Sequence, residues 1–519
     1  QTDRQTDRQT DRQTDRQTDR QTDRQTDRQT DILIAIFLGL FYSFFCLAVS
    51  PLINRLNNDG QVYYLMGLGI KKGSIPYLDL FDNKGIYLYF INTIASLISE
   101  KLSVGLFLVE AAFIMADIYV VLQIARYYMD SIYSRLVCAM LFMCLALNYF
   151  TFDGGGNLVE EYALFPQLIS IFLIICFIKG NYNNRHMFFQ GILCSFSFFI
   201  KPSLIMFWGG VLVIVILLLK KRFYKQSCIS IGSGIIGLMV GALPAYIYGR
   251  FTGCWDAMIE AIVMFNYRYS SAEGESLIKK IFSVILNWRM GGLFILTIAS
   301  FIIVYKSKNI EMLLIYVTSL VLEVISISLS GYSFGHYYEG MIVFTLPSLV
   351  WISKKIYIKK SIVIAIAVAG ILCNGKLLIK ILDDYGIIRT ISYDDMNFMA
   401  KCANLKQQNY NDSSVLVVTG TGNCQGAKYY TAMNVMPDNK YFYTLKIPYE
   451  ELPDSVDAIA NATYSGKYDV LVMYYIYKDK SKMWGVDKYD SGLREFLNEN
   501  YELCIENEVL PLEMWVKKK

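Results

Sequence analysis

DGQVYYLMGLGIKKGSIPYLDLFDNKGIYLY, residues 59–89, decides how this chain is read. It follows an apolar run at 32–51 long enough to cross a bilayer, but it does not itself read as a span. Asp59, Lys71, Lys72, Asp79, Asp82 and Lys84 interrupt it, and a charge at mid-bilayer costs roughly 2.5 to 3.5 kcal/mol on insertion scales. Its aromatic and aliphatic residues are too dense for a free loop. The expectation is a stretch lying along the membrane surface as amphipathic pieces broken at 73–76 and 83–85, a polar, acidic platform on one face of the bilayer.

Working outward, 54% apolar residues and a mean hydropathy of +0.34 over 519 residues describe a polytopic membrane protein. A net charge of +4 is too small to suggest a nucleic-acid partner. The eleven cysteines fall mostly inside apolar runs, where Cys behaves as a small hydrophobe, and form no zinc or disulfide framework. Spans need about 17 to 25 residues. Besides 32–51, such segments occur near 103–125, 135–152, 163–179, 187–203, 203–219, 228–248, 290–305, 310–329, 339–353 and 361–378. The apolar piece 86–100 is short and flanked by charge, so it belongs to the surface platform.

Positive residues in short connections stay cytoplasmic. Arg126 with Arg135, Lys179 with Arg185, the run 220–225, Lys306 with Lys308, and the run 354–360 then share the inner side. The outer side receives 59–85, 153–161, 250–288, 331–340 and everything beyond Lys380. The expected topology has about 11 to 13 spans, the N-terminus cytoplasmic and the C-terminus extracytoplasmic in a bacterial inner membrane.

Further polar groups fall on the expected outer side. DGGGNLVEEYALFP, residues 153–166, carries Asp153, Glu160 and Glu161 at the exit of a span, behind glycines that let backbone approach a ligand. GYSFGHYYEG, residues 331–340, holds His336, one of two histidines, beside Tyr337. Lys201 lies at a span's outer end. Two readings stay open for each: ligand groups, or solvated loop charges, an interfacial aromatic belt and a snorkelling lysine respectively. Within the spans, Glu110 and Glu323 sit at similar depth and Asp117 shares a helix face with Glu110; intramembrane carboxylates usually face a protein interior or an aqueous cavity.

The opening stretch resembles the GT-C superfamily of glycosyltransferases that use a lipid-phosphate sugar, in the bacterial protein mannosyltransferase-like and lipid A aminoarabinose transferase-like branch. There, an acidic residue after the first span is followed by G-x-x-x-Y-x-D-x-x-D-x-K-x-P; here the run is Asp59, then Gly73, Tyr77, Asp79, Asp82 and Lys84, with Gly60 and Gly85 departing from the pattern. The Gly-His-Tyr of 335–337 and Lys201-Pro202 are weaker echoes. The resemblance implies an α-helical polytopic protein with a small extracytoplasmic α/β domain. The implied activity is an inverting transfer of a sugar from a polyprenyl-phosphate donor to a glycan, lipid or protein acceptor.

Such chemistry needs a base for the acceptor hydroxyl and cations for the departing phosphate. Asp59 is the expected base, with Glu160 or Glu161 as helper; Asp79, Asp82, Lys84, Lys201, His336 and Tyr337 are the expected substrate-binding residues. No cofactor is required. A divalent metal stays open, although nothing has decisive metal-ligand spacing. A lipid-linked oligosaccharide polymerase or ligase and a polytopic transporter are the competing classes.

Residues 1–31 are a tandem of Gln-Thr-Asp-Arg without an apolar side chain, expected to be disordered. The tract is encodable as a repeated CAGA tetranucleotide and resembles the slippage switches of phase-variable surface-antigen genes, which points to a lipopolysaccharide-type surface glycan. A tag or a misassigned start stays open, and the lack of an initial Met fits those as well. The membrane domain is then 32–380, with 52–102 as its first external loop. From 381 to 519 the chain changes character: SVLVVTG (414–420), KYFYTL (440–445) and YDVLVMYYIY (468–477) read as strands of an α/β domain, and TGTGNCQG (419–426) as a strand-to-helix turn rather than a nucleotide loop.

Overall fold

A computed structural model describes residues 26–56, 58–152, 155–271, 276–288, 292–329, 334–356, 359–420, 425–444, 449, 453–477, 480 and 482–519. Asp153 and residues 421–424 lie outside them. In chain order the first helices are α1 (Thr26–Cys46), α2 (Asn58–Lys71), α3 (Ile86–Ile98), α4 (Gly105–Arg126), α5 (Ile132–Ala146), α6 (Val159–Ile178) and α7 (Asn184–Phe198). A 3-10 stretch, Pro202–Trp208, leads into α8 (Gly209–Lys220), followed by α9 (Tyr224–Thr252), α10 (Trp255–Ile259), α11 (Asn266–Ser271), α12 (Leu277–Trp288), α13 (Leu293–Lys306) and α14 (Ile310–Leu329). A second 3-10 stretch, Gly335–Thr345, precedes α15 (Leu346–Lys355), α16 (Lys360–Asn374) and α17 (Lys376–Asp384).

By length and composition, six of the described helices can cross a membrane: Thr26–Cys46, Gly105–Arg126, Val159–Ile178, Pro202–Lys220, Tyr224–Thr252 and Ile310–Leu329. Two bent pairs, α12 with α13 at 96° and α16 with α17 at 63°, raise the number to eight. The other apolar segments counted in the sequence fold as shorter helices: α5 ends at Ala146 and α7 at Phe198 in turns, and 339–353 is part 3-10 stretch and part α15. The piece at 86–98 is a short apolar helix. α7 and α9 meet through Gly191 and Gly237, where a Cβ would run into backbone carbonyls of the other helix; small residues permit this closeness between membrane helices.

The repeat enters the fold further than its composition suggests. α1 begins at Thr26, inside the Gln-Thr-Asp-Arg tract, so 26–31 are helical rather than part of a disordered tail. Asp31 is fully buried, taking bonds from Gln123 at 2.9 Å and Arg126 at 2.5 Å, with Arg135 at 3.5 Å. These cations at the end of α4 and in α5 compensate a carboxylate that would otherwise forbid burial, and they put the start of α1, the end of α4 and the start of α5 on one side of the bundle. Arg55 after α1 pairs with Asp383 of α17 at 2.5 Å on the other side.

The C-terminal part adds α18 (Ile391–Asn409), β1 (Val415–Thr419), α19 (Gly426–Ala432), α20 (Asp454–Tyr464), β2 (Val470–Tyr474), α21 (Asp487–Asp490), α22 (Leu493–Asn500), β3 (Tyr501–Glu506) and β4 (Leu512–Lys517). The sheet order is β1-β2-β4-β3, with β1 parallel to β2 and the remaining pairs antiparallel. Two expected strands are present. The third, KYFYTL, is not a strand over its described residues 440–444: their backbone and rings receive the loop between α2 and α3, as described below, instead of pairing in a ladder.

Candidate functional site

The loop between α2 and α3 is built rather than free. Pro76 and Leu80 form a bridge, Tyr77 N–H donates to the Leu80 carbonyl at 2.7 Å, and Asp79 Oδ2 accepts from the Ile75 N–H at 2.7 Å. Tyr77 holds a left-handed φ of 71°, costly for a residue with a side chain. Its ring is buried against Tyr89 and its hydroxyl donates to the Lys84 carbonyl at 2.8 Å, which fixes it there. Asp79 therefore closes the turn on an exposed edge. Asp82, 2% exposed, accepts from the hydroxyls of Tyr89 at 2.8 Å and Tyr443 at 2.7 Å. It pins the loop to α3 and to the C-terminal part, while Phe81 N–H donates to the Lys440 carbonyl at 2.9 Å.

The loop's far end docks on the end of α7. Gly85 N–H donates to the Ile200 carbonyl at 2.8 Å and Tyr87 N–H to that of Phe199 at 3.0 Å. A Cβ on Gly85 would collide with the Phe199 carbonyl, and a proline there would remove the N–H that Ile200 accepts. This accounts for glycine where the resembling family often has proline. The docking brings Lys84, whose Nζ donates to Asn83 Oδ1 at 2.6 Å, next to the chain that carries Lys201.

Lys201 is the hub of the expected residues. Its Nζ lies 2.8 Å from Glu160 Oε1 and 4.0 Å above the Tyr337 ring. The His336 ring is 4.6 Å from that of Tyr337, and His336 acts electrostatically on Glu160. Glu160 is 4% exposed, at the first turn of α6. Its neighbour Glu161 takes another direction. One oxygen accepts from the Leu158 N–H at 3.3 Å, as a helix-start cap, and Oε1 has no hydrogen-bond partner among the described residues. Glu161 acts electrostatically on Glu110 and Asp117 in the bundle interior, which Glu160 does not, while both glutamates act on Glu339.

Asp59 stands in the first turn of α2, half-buried. One turn on, Tyr63 joins it to the rest. Burial, with the carboxylates of Asp59, Asp82 and Glu160 around it, pushes the Tyr63 phenol well above its ordinary range. Tyr63 is absent from the expected set, although its i+4 spacing from Asp59 was the available signal. Asn157 is a second such residue. At a left-handed φ of 52°, it donates to the Gly60 carbonyl at 2.7 Å and to Asn92 Oδ1 at 2.9 Å and accepts from Tyr162 at 2.8 Å, tying α2, α3 and α6 together.

Glu160, Lys201, His336 and Tyr337 are thus gathered at one end of the helix bundle, with Asp59 reaching them through Tyr63 and Lys84 on the loop docked at the end of α7. Asp79, Asp82 and Glu161 shape the walls. The divalent-metal option finds no ligand set: no group of three or more His, Cys, Asp and Glu side chains among the described residues can hold an ion.

Apolar spanning helices, a structured acidic first loop and a small C-terminal sheet define a polytopic membrane protein with the GT-C fold. Structures of ArnT from Cupriavidus metallidurans share it: the form bound to undecaprenyl phosphate has a TM-score of 0.58 at 10% identity, and the apo form 0.59 at 11%, each match covering 93% of this chain and 97% of that one. An oligosaccharyltransferase from Archaeoglobus fulgidus, in complex with zinc and sulfate, gives 0.46 at 13%, over 85% of this chain and 67% of that one. No curated protein matches the sequence. The chain belongs to the family described as "Putative competence-induced protein Ccs4 N-terminal domain", whose model matches residues 19–367.

Proposed function

We propose that the protein is a membrane glycosyltransferase that transfers a sugar from a polyprenyl-phosphate donor to an acceptor hydroxyl, with inversion, on the outer face of the bacterial plasma membrane. The observation that carries this reading is the meeting of Asp59 with the Lys201–Glu160–Tyr337 cluster around Tyr63, on a fold also found in a protein whose structure holds undecaprenyl phosphate. Asp59, half-exposed at the first turn of α2, takes the acceptor proton as the new bond to the sugar forms and the bond to phosphate breaks. Lys201 and Lys84 stabilise the charge on the departing phosphate, where preorganised donors contribute most. Glu160 holds Lys201 in place. His336 and Tyr337 complete the wall behind it. Asp79 and Asp82 maintain the loop that delivers Lys84.

In this reading the N-terminus is cytoplasmic and the C-terminal part extracytoplasmic, and the acceptor belongs to a cell-surface glycan, lipid or protein, with expression switched by slippage in the DNA of the repeat. The decisive experiment incubates purified full-length protein with radiolabelled polyprenyl-phosphate sugars. Release of label from the lipid, abolished by Asp59→Asn, is the expected result. Retention of label with every donor, in the presence of membrane extract as acceptor source, would overturn the proposal.

A further inference from the structure

A cavity of 290 Å³ lies at the end of the bundle opposite the Lys201 cluster. α6 sets the separation: Glu160 is in its first turn, whereas Ile171, Ile174, Ile175 and Ile178, which line the cavity, belong to its C-terminal half. At 1.5 Å per residue the cavity begins about 16 Å along the helix from Glu160 and continues for about 10 Å. Its other walls are the ends of α4 and α13, the start of α14, and α15, with Phe207 and Phe344 from the two 3-10 stretches. Among the lining residues, Tyr316 donates to the Phe344 carbonyl at 2.9 Å, Ser319 to that of Phe207 at 3.1 Å and Ser307 to that of Val304 at 2.6 Å. Their hydroxyls are thus spent on backbone, and the lining presents hydrocarbon. Such a cavity stays dry and takes an apolar occupant rather than water, an ion or a sugar.

The mouth has the opposite chemistry. Lys354, in the last turn of α15, and Tyr128, just beyond α4, also line the cavity, and neither the ammonium nor the hydroxyl has a hydrogen bond or ion pair among the described residues. Lys179, likewise without an ion pair among them, stands 5.0 Å from the Tyr128 ring centroid. Of the carboxylates at this end, Asp31 is taken by Arg126 and Arg135, and Glu311 by Lys221 at 2.5 Å. Asp130, two positions beyond Tyr128, is exposed. Trp351, a lining residue one turn before Lys354, is 53% exposed and marks where the cavity opens, as indole rings do at membrane interfaces.

We propose that this cavity binds an anionic glycerophospholipid of the leaflet opposite the Lys201 cluster. One acyl chain enters between α6, α14 and α15, and the phosphate is held by Lys354 and Lys179, with the Tyr128 hydroxyl donating to it. The dry lining selects the chain. Charge complementarity selects the headgroup, because basic pockets between membrane helices hold anionic lipid heads, and in the orientation proposed above this is the cytoplasmic leaflet, the anionic one. A polyprenyl chain anchored by its phosphate at Lys201 would leave Lys354 and Lys179 without an anion. The site does not depend on the glycosyltransferase reading.

The test measures binding of phosphatidylglycerol and phosphatidylcholine with identical acyl chains, and of polyprenyl phosphate, to the full-length protein in detergent by native mass spectrometry, with thermal melting alongside. Phosphatidylglycerol should bind about tenfold tighter than phosphatidylcholine and raise the melting temperature further. Lys354→Glu should abolish that preference and Lys354→Arg retain it. Val350→Trp, which fills the cavity, should weaken both phospholipids, and all three variants should bind polyprenyl phosphate as the wild type does. Equal binding of the two phospholipids by the wild type overturns the site, whether or not any variant folds. So does a preference untouched by Lys354→Glu. A loss of polyprenyl phosphate binding in Val350→Trp as large as that of phosphatidylglycerol also overturns it, and would give the cavity to the polyprenyl chain instead.

Discussion

Replacing Lys201 by Met removes the cation 2.8 Å from buried Glu160 and 4.0 Å above Tyr337 while keeping an unbranched side chain one atom shorter. A unit pair at that separation is worth about 6 kcal/mol gross at an effective dielectric of about 20. Desolvation offsets much of this, but removing one partner of a buried pair typically costs about 3–5 kcal/mol because the other charge is left behind. Lys201→Met should therefore lower the melting temperature of the solubilised protein. If Lys201 also contacts the lipid phosphate, a charge-assisted bond of about 1.5–3 kcal/mol is lost as well, which is roughly a 10- to 150-fold weaker donor Kd. Adding Glu160→Gln neutralises the abandoned carboxylate, so the double variant should regain most of the stability and none of the donor affinity. Thermal melting and competition binding with polyprenyl phosphate in nanodiscs read the two effects independently. Recovery of both by the double variant would show that Lys201 serves only to neutralise Glu160, and would remove it from the phosphate site.

Asp59→Asn should reduce turnover by about 10² to 10⁴, the usual cost of losing a positioned base, with donor affinity unchanged or slightly improved; near-normal steady-state rates would dismiss the assignment. Gly85→Ala should undock the first loop from α7, since no rotamer change can relieve a clash with a backbone carbonyl, and should appear as faster hydrogen exchange over 74–87. Tyr443→Phe removes one of the two hydroxyls on Asp82, at a cost of about 1 kcal/mol, and exchange protection should fall in both the loop and residues 440–444. In the C-terminal part, burial lifts the Glu513 carboxyl, but Arg494, Trp515 and Tyr475, donating at 2.7, 2.9 and 2.9 Å, hold it below the usual range. A depressed carboxyl stabilises the fold above its unfolded value of about 4.3, and that contribution is lost as pH falls further. Acid melting monitored by Trp515 fluorescence should show this loss in wild type and a smaller one in Glu513→Gln.

The membrane class and the charged stretch that does not form a spanning helix follow from the sequence, because apolar run length and charge position act locally along a chain. Strands β1 and β2 were equally legible, being continuous apolar runs buried on both faces. β3 alternates buried and exposed positions over only six residues, and β4 is recruited by pairing between β2 and β3, so neither carried a comparable local signal. What each acidic residue does was decided only by tertiary structure. Glu160 and Glu161 are neighbours in sequence, yet the 100° turn between them sends one to Lys201 and the other towards Glu110 and Asp117. Asp82, an expected substrate ligand, is buried and accepts from Tyr443, 361 positions away, a contact no local pattern announces. Aromatic KYFYTL alternates like a strand, but its rings and carbonyls are used by the first loop. Composition and period report whether a residue is buried; which partner it meets depends on distant chain brought alongside, and for a buried carboxylate that partner determines whether it is a pin, a cap or a charge at a working site.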